Sequence, residues 1–546
     1  AAMQWLLHTL LLCCALPVLM PAQAASTEMP QYLEAVLVRP DALENPSQFA
    51  YPHSLRAFYQ ARHYQPAWQT PAIDALLNSI DQLETDGLNP DAPRYHRTEL
   101  RALLGKETLT PNDELLLSDA FFAAAHDLFY GLAFESEVNT VFYESGKKSL
   151  DLAKTLQTAL EQNNITSTLI DLAPKHTYYR NLKQALQRYR LYAQTTSWNY
   201  NPAAYADRNL VRQRLLISGD YPSNCLQPKP QPNNPPSDWC WDADSAGEDA
   251  LLEPAIRRFQ QRHGLLVDGI VGNQTRNALA RSASQLVELI KLNMERWRWY
   301  RHLPERYLLV NIPDYTLTLI QNTSPLSMKV VVGKKKRPTP LMEDQMTYLV
   351  LNPYWRIPKT ILLEDVLPKL KSGSTYLQRN NISLFSSADS KEQQPLNAEA
   401  IDWQSIKGKQ ILNYTFRQEP GEKNPLGRIK FIFPNSQDIY IHDTSEQHLF
   451  KNSTLIASSG CIRAENALQL AEQLLAYENP EMDNTQLQEM IQSGKQQIIW
   501  LEHKVPVLIT YQTAWADESG ELRIRADIYE RDNKLLSTLQ KLEKRQ

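Results

Sequence analysis

The chain has 546 residues, 42% of them hydrophobic, which is enough for three or four domains with ordinary cores. Fifty-seven lysines and arginines stand against 61 aspartates and glutamates, a formal charge of −4. That balance excludes the chain-wide basic surface that nucleic acid or anionic lipid selects, so no nucleic-acid partner is expected.

In chain order, Trp5–Met20 is an apolar run followed by Ala22-Gln23-Ala24. This is the pattern of an export signal over residues 1–24, with small residues at the cleavage site. No Lys or Arg precedes Trp5, so an uncleaved membrane anchor is the alternative. Residues 25–200 read as a helical scaffold domain. Leu55–Tyr59, Ile73–Leu83, Leu115–Leu132 and Ser149–Leu160 repeat apolar residues at i, i+3, i+4 spacing. His126 lies on one of these helices among aromatic residues and reads as structural.

Residues 201–285 form a second unit. Cys225 and Cys240 bracket a loop rich in proline and asparagine, and in an oxidising compartment they are expected to pair as a disulfide. Ala255–Leu265 and Val267–Leu279 then read as helix, glycine turn, Asp-Gly turn and helix. With Phe259–Leu265 (FQQRHGL), Val267–Gly272 (VDGIVG) and Thr275-x-x-Ala278-Leu279, this unit resembles the small three-helix peptidoglycan-binding domain. The long cysteine-bearing loop departs from the compact pattern, and a plain spacer is the alternative role. Residues 286–305 follow as a linker helix, within the amphipathic stretch Ser282–Arg301, where Trp297 and Trp299 read as packing residues.

From Tyr307 the period changes to that of strands: Tyr307–Ile312, Leu317–Ile320, Ser327–Val332 and Met346–Leu351 alternate and are rich in β-branched residues. Gly333–Pro340 is a basic turn, able to meet an anionic substrate or simply be solvated. Tyr354 and Trp355 fall at a strand end, where they can line a cleft. The polar stretch at about 370–424 interrupts the β pattern and reads as a lid insertion. Strands resume at Ile429–Phe433 and Ile439–Ile441, a helix covers Ala464–Tyr477, and Ile498–Leu501 and Val505–Tyr511 close the domain at about residue 531. The tail 532–546 reads as a solvated helix or frayed end.

Cys461 stands in Ser458-Ser459-Gly460-Cys461-Ile462-Arg463, with His442 nineteen positions upstream at the end of an alternating apolar run. A thiol attacks as thiolate, and a nearby imidazole can take its proton. Cys461 has neither a place in the export signal nor a disulfide partner. The amides of Gly460 and Cys461, with that of Ser459, are candidate donors to an oxyanion. Asp443 alternates to the opposite strand face from His442, so a backbone carbonyl is the expected orienting group for the imidazole. Tyr440 shares the face of His442 and can line the cleft. Arg463 can bind a substrate carboxylate or lock the loop, and His448 is a weaker candidate base. No second cysteine or close histidine pair completes a metal set, and no cofactor is called for.

The block Asn311–Trp515 resembles the catalytic domain of the L,D-transpeptidases (the YkuD-like family). The likeness rests on His442, on Ser458–Arg463, on Glu295–Trp299, Arg337–Pro340, Asn352–Trp355 and Thr513–Trp515. Ser459 stands where the widest form of the motif has histidine, as in the large multidomain members. The resemblance implies a multidomain α+β protein, with a mostly β catalytic domain that carries a flanking helix and an inserted lid. It implies a periplasmic enzyme without cofactor that acts on peptidoglycan tetrapeptide stems. Such enzymes release the terminal D-alanine through a cysteine thioester and join two diaminopimelates in a 3→3 cross-link. Carbapenem β-lactams are implied as covalent inhibitors, and other wall-synthesis enzymes as partners. Water or a lipoprotein lysine as acceptor, and a non-catalytic wall-binding scaffold, are the alternatives.

Overall fold

A computed structural model describes residues 28–33, 48–195, 198–221, 251–373, 375–482 and 484–545. The expected export signal and the Cys225–Cys240 pair lie outside the described residues.

The first domain is built around the helix Pro111–Phe129. Thr110 caps it by accepting from the Asp113 amide, while the Asp113 carboxylate accepts from the Thr110 amide, so two end donors are satisfied. Alanine, leucine and phenylalanine bury nearly the whole helix, so its acidic residues must find partners inside. Asp119 accepts from the amides of Ala50 and Tyr51 and from His96 Nε2. Asp127 accepts from the Tyr95 hydroxyl and from His126, and pairs with Arg94. His126 is accounted for by this buried network.

The second unit packs helices Arg208–Ser218, Leu252–Arg262 and Asn273–Ala280 around Leu215, Ile256, Phe259 and Leu279. Its buried Arg262 pairs with Asp220 and donates to the Leu522 carbonyl of the catalytic domain. Gly264, at φ +61°, lets Arg525 pass where a Cβ would stand 2.6 Å from its side chain.

The helix Ala283–Arg298 was expected to be amphipathic; it is enclosed along most of its length. Leu286, Leu289, Ile290, Met294 and Trp297 are buried, but so are Asn293, Glu295, Arg296 and Arg298. The polar residues are tolerated because each is paired. Glu295 accepts from the Leu132 and Ala133 amides at 3.1 and 2.8 Å, from Arg298 at 2.9 Å and from the Trp299 indole at 3.1 Å. Asn293 accepts from the Thr513 amide, and Arg296 pairs with Asp532 at 2.7 Å. The helix therefore clamps the scaffold domain to the catalytic domain. The tail also differs from expectation: Asp532–Leu542 is a helix whose i, i+4 leucines, Leu535 and Leu539, join the main core.

The chain contributes strand β1 (Phe142–Tyr143) early, then β2 (Tyr307–Asn311), β3 (Thr316–Ile320), β4 (Leu326–Gly333) and β5 (Met342–Leu351). β6 (Trp355–Arg356), β7 (Ile382–Ser386) and β8 (Tyr414–Gln418) belong to the insertion. β9 (Ile429–Ile432), β10 (Ile441–His442), β11 (Ile456–Ser458), β12 (Ile462–Ala464) and β13 (Gln497–Thr510) complete the wall. The pairings run β5-β13-β2-β3-β4-β12-β10-β9 and close through β9 back onto β5. Leu349, Phe431, Ile441 and Ile462 are successive partners across β5, β9, β10 and β12, and all four point into the fully buried interior. The helices Ala467–Glu478 and Asn484–Gln492 cover the domain. This is a sheet-rich catalytic domain beside a helical scaffold and a small helical unit, as the fold class anticipated.

The insertion is a folded unit with its own core. Ile357, Leu362, Val366, Leu384, Ile411 and Phe416 pack together against a sheet ordered β6-β8-β7. Its core begins before the expected boundary of 370, because Trp355–Arg356 leaves β5 and pairs with β8. No helix among the described residues is long and apolar enough to cross a membrane.

Candidate active site

Cys461 lies between β11 and β12, and His442 ends β10. β10 and β12 run parallel, with Ile441 opposite Ile462 and His442 opposite Arg463. Cys461 therefore falls opposite Tyr440, and Tyr440, His442, Cys461 and Arg463 share one face, opposite that of Ile441 and Ile462. The Ile462 amide donates to the Tyr440 carbonyl at 3.1 Å, which holds the two strands in this register at the cysteine.

The turn before Cys461 is held from three directions. Gly460 sits at φ +122°, a conformation that only glycine adopts without strain. Its carbonyl accepts from Thr339 Oγ1 at 2.7 Å, and Thr339 Oγ1 in turn accepts from the Gly333 amide at 2.9 Å. Ser458 Oγ donates to the Cys461 carbonyl at 2.6 Å and accepts from the Gly460 amide at 3.1 Å. This last bond corrects the expectation for Gly460. Its amide is engaged within the turn, so its role is conformational, not oxyanion binding. Among the described residues the Ser459 and Cys461 amides have no acceptor. The Ser459 hydroxyl accepts from Arg337 at 3.0 Å; Arg337 also pairs with Glu364 and with Asp365, the latter at 3.0 Å. The basic turn thus joins the Cys461 loop to the insertion.

His442 is buried, and its Nδ1 lies 2.5 Å from the Asp443 carbonyl. A carbonyl can only accept, so Nδ1 carries the proton and Nε2 is the free base. The Asp443 carboxylate points elsewhere and accepts from the Arg428 amide at 2.8 Å. Burial, then the charge of Arg463, pushes the imidazole down to about 3. Burial likewise pushes the Cys461 thiol up to about 11, although the amide and hydroxyl of Tyr440 and the charge of Lys430 pull the other way. The resting pair is therefore neutral thiol and neutral imidazole. The thiol points to the Asp438 carbonyl at 3.7 Å.

Tyr440 stands with its ring 5.7 Å from His442, and its hydroxyl reaches both the thiol and the Trp355 indole. Trp355 thus brings the insertion to Tyr440, beside Cys461. Tyr354 does not face it in the same way; its ring lies under Arg417, 4.5 Å from the guanidinium carbon, inside the insertion. Arg463 pairs with Glu446 at 2.5 Å, the loop-locking alternative of its two expected roles. His448 is exposed in the short helix Gln447–Lys451 and takes no part. Lys430, which no motif marks, pairs across the sheet with His442 and sets its ammonium 4.9 Å from the Tyr440 ring centre. Burial, then the neighbouring Arg356, lowers its pKa.

Comparisons with known proteins follow the same division of the chain. Residues 53–186 match the family described as "Scaffold domain". Residues 248–279 match "Putative peptidoglycan binding domain", and residues 305–499 match "L,D-transpeptidase catalytic domain". A Haemophilus influenzae protein named "Putative L,D-transpeptidase" is 32% identical over 255 residues. That match covers 46% of this chain and 50% of the relative. The chain therefore carries an L,D-transpeptidase catalytic domain of the YkuD family, joined to a scaffold domain and a peptidoglycan-binding domain.

Proposed function

We propose that the protein is a cysteine L,D-transpeptidase that forms 3→3 cross-links between peptidoglycan stems in the periplasm. The observation that carries this reading is the strand register that sets Cys461, Tyr440 and His442 on one face, within the matched catalytic domain. Cys461 turns from the Asp438 carbonyl and passes its proton to Nε2 of His442 as sulfur attacks the carbonyl of diaminopimelate. The amides of Ser459 and Cys461 hold the oxyanion; a donor of this kind contributes about 3–4 kcal/mol. His442 then gives the proton to the departing D-alanine amine, and a thioester remains on Cys461. The side-chain amine of a second diaminopimelate attacks it, His442 takes the amine proton, and the thiol is restored.

A neutral resting pair suits this sequence, because a buried ion pair would lose more to desolvation than it gains before substrate arrives. The wall-binding unit supports a substrate within the sacculus, and carbapenems are expected to acylate the same thiol. Coupling to other wall-synthesis enzymes belongs to the same reading. Incubation with purified disaccharide-tetrapeptide tests it. Dimers linked 3→3 are expected; tripeptide without dimers would make water the acceptor and overturn the transpeptidase assignment.

A further inference from the structure

Arg337, Arg356, Arg463 and Lys430 bring four positive charges to the surroundings of Cys461 and His442. Three of them are matched by carboxylates: Arg337 by Glu364 and Asp365, Arg356 by Glu392, and Arg463 by Glu446. Lys430 is not. It is half-buried, and among the described residues its ammonium has no acidic partner; it rests by the Tyr440 ring, 4.9 Å from the ring centre. Asp438, whose charge reaches Cys461 and Tyr440, forms no ion pair with it. A cation withdrawn from water without a counter-ion is costly, and one held beside reacting groups marks a place for an anion.

The order of the strands says which anion. β12, β10 and β9 are neighbours, so Cys461, then Tyr440 and His442, then Lys430 follow one another on one face of three adjacent strands. Lys430 is the direct partner of His442, one strand separation of ~5 Å away. In the reaction proposed above, the donor carries its groups in the same order. First comes the carbonyl that sulfur attacks, then the D-alanine nitrogen that His442 protonates, then, two bonds beyond that nitrogen, the terminal carboxylate. Carbonyl and carboxylate are one residue apart, ~3.5 Å. A charge-assisted hydrogen bond adds ~2.8 Å, within reach of a lysine whose stem starts beside the imidazole. The incoming amine of diaminopimelate also stands on a carbon that bears a carboxylate. Leaving group and acceptor thus present the same unit, which a lysine side chain or water lacks. Resting on that reaction, we infer that Lys430 is a specificity-determining residue that binds this carboxylate, first on the departing D-alanine and then on the acceptor diaminopimelate.

The test compares paired ligands in the full chain, so that any effect of Lys430→Gln on the thiol itself cancels. Thioester formation, followed by intact mass, is timed with the tetrapeptide stem and with the same stem ending in D-alaninamide. Wild type should favour the free carboxylate by about ten- to hundredfold, Lys430→Gln should show little preference, and Lys430→Arg should keep much of it. Discharge of the preformed thioester is timed with a tripeptide stem and with one amidated at the carboxylate beside the acceptor amine; the same pattern is expected. No preference in wild type, an equal preference in Lys430→Gln, or its loss in Arg463→Gln instead, would overturn the inference. Dissociation constants of the two tetrapeptides for Cys461→Ala, with and without Lys430→Gln, separate binding from chemistry. If wild type forms no thioester with either donor, the proposed function fails, while this affinity comparison still decides the subsite.

Discussion

A neutral resting thiol has a measurable consequence. With its pKa pushed up to about 11 by burial, Cys461 is ~0.01% thiolate at pH 7, about a hundredfold less than a thiol at the ordinary value of 9.0. Alkylation by iodoacetamide, followed by peptide mapping of Cys461 between pH 6 and pH 11, should therefore be slow at neutrality. It should rise about tenfold per pH unit with no plateau below about pH 10. Removing the Tyr440 hydroxyl by Tyr440→Phe takes away a group that favours the thiolate, so alkylation at any one pH should slow further. A plateau between pH 6 and 8 with an acidic limb would mean a preformed thiolate–imidazolium pair, and the neutral-pair reasoning would be wrong.

Other outcomes follow from the same geometry. Gly460→Ala forces a side chain onto φ +122° and sets a Cβ 3.4 Å from Ile439, at a cost of about 1–3 kcal/mol. Thermal unfolding should show that loss, and acylation should fall with it because the Ser459 and Cys461 amides move together. His442→Gln should leave the protein folded and lower kcat by about 10²–10⁴-fold in a cross-linking assay. His442 is buried neutral, with its pKa lowered to about 3, so it takes up its proton less readily in the folded than in the unfolded state. Its contribution to stability is complete above the unfolded value of about 6.5 and is lost as pH falls from there toward 3. Chemical denaturation at pH 7 and pH 4 should therefore show a smaller loss for His442→Gln than for wild type. Glu295→Ala removes the acceptor for two amides, an indole and Arg298, and should destabilise by about 3–5 kcal/mol in the same measurement, an effect remote from the nucleophile.

The placing of Cys461 beside a strand that ends at His442 and the change from helical to strand period were legible because each is written locally: Ser458–Arg463, the alternation ending at His442, and spacings of three, four or two. What could not be read depends on register between distant segments. Lys430 meets His442, and Trp500 meets Tyr348, only through strand pairing, so neither stood out in sequence. The Gly460 amide looks free in the motif because the inward turn of Ser458 Oγ is a side-chain rotamer that a motif does not show. The stretch Ser282–Arg301 reads as amphipathic because its polar positions resemble a solvated face. The partners that bury them, Leu132, Ala133, Thr513 and Asp532, come from both ends of the chain. The insertion's start was placed late because Trp355 and Arg356 continue the aromatic, strand-like composition of β5 while pairing with a different sheet.

The central claim is that Cys461 carries the acyl group. Intact-mass and peptide-level spectrometry after brief incubation with disaccharide-tetrapeptide tests it most directly. The account predicts an adduct equal to the donor less D-alanine, mapped to Cys461, absent in Cys461→Ala and discharged when a second stem is added. An acyl adduct that persists in Cys461→Ala, or cross-linked product formed by that variant, would contradict it.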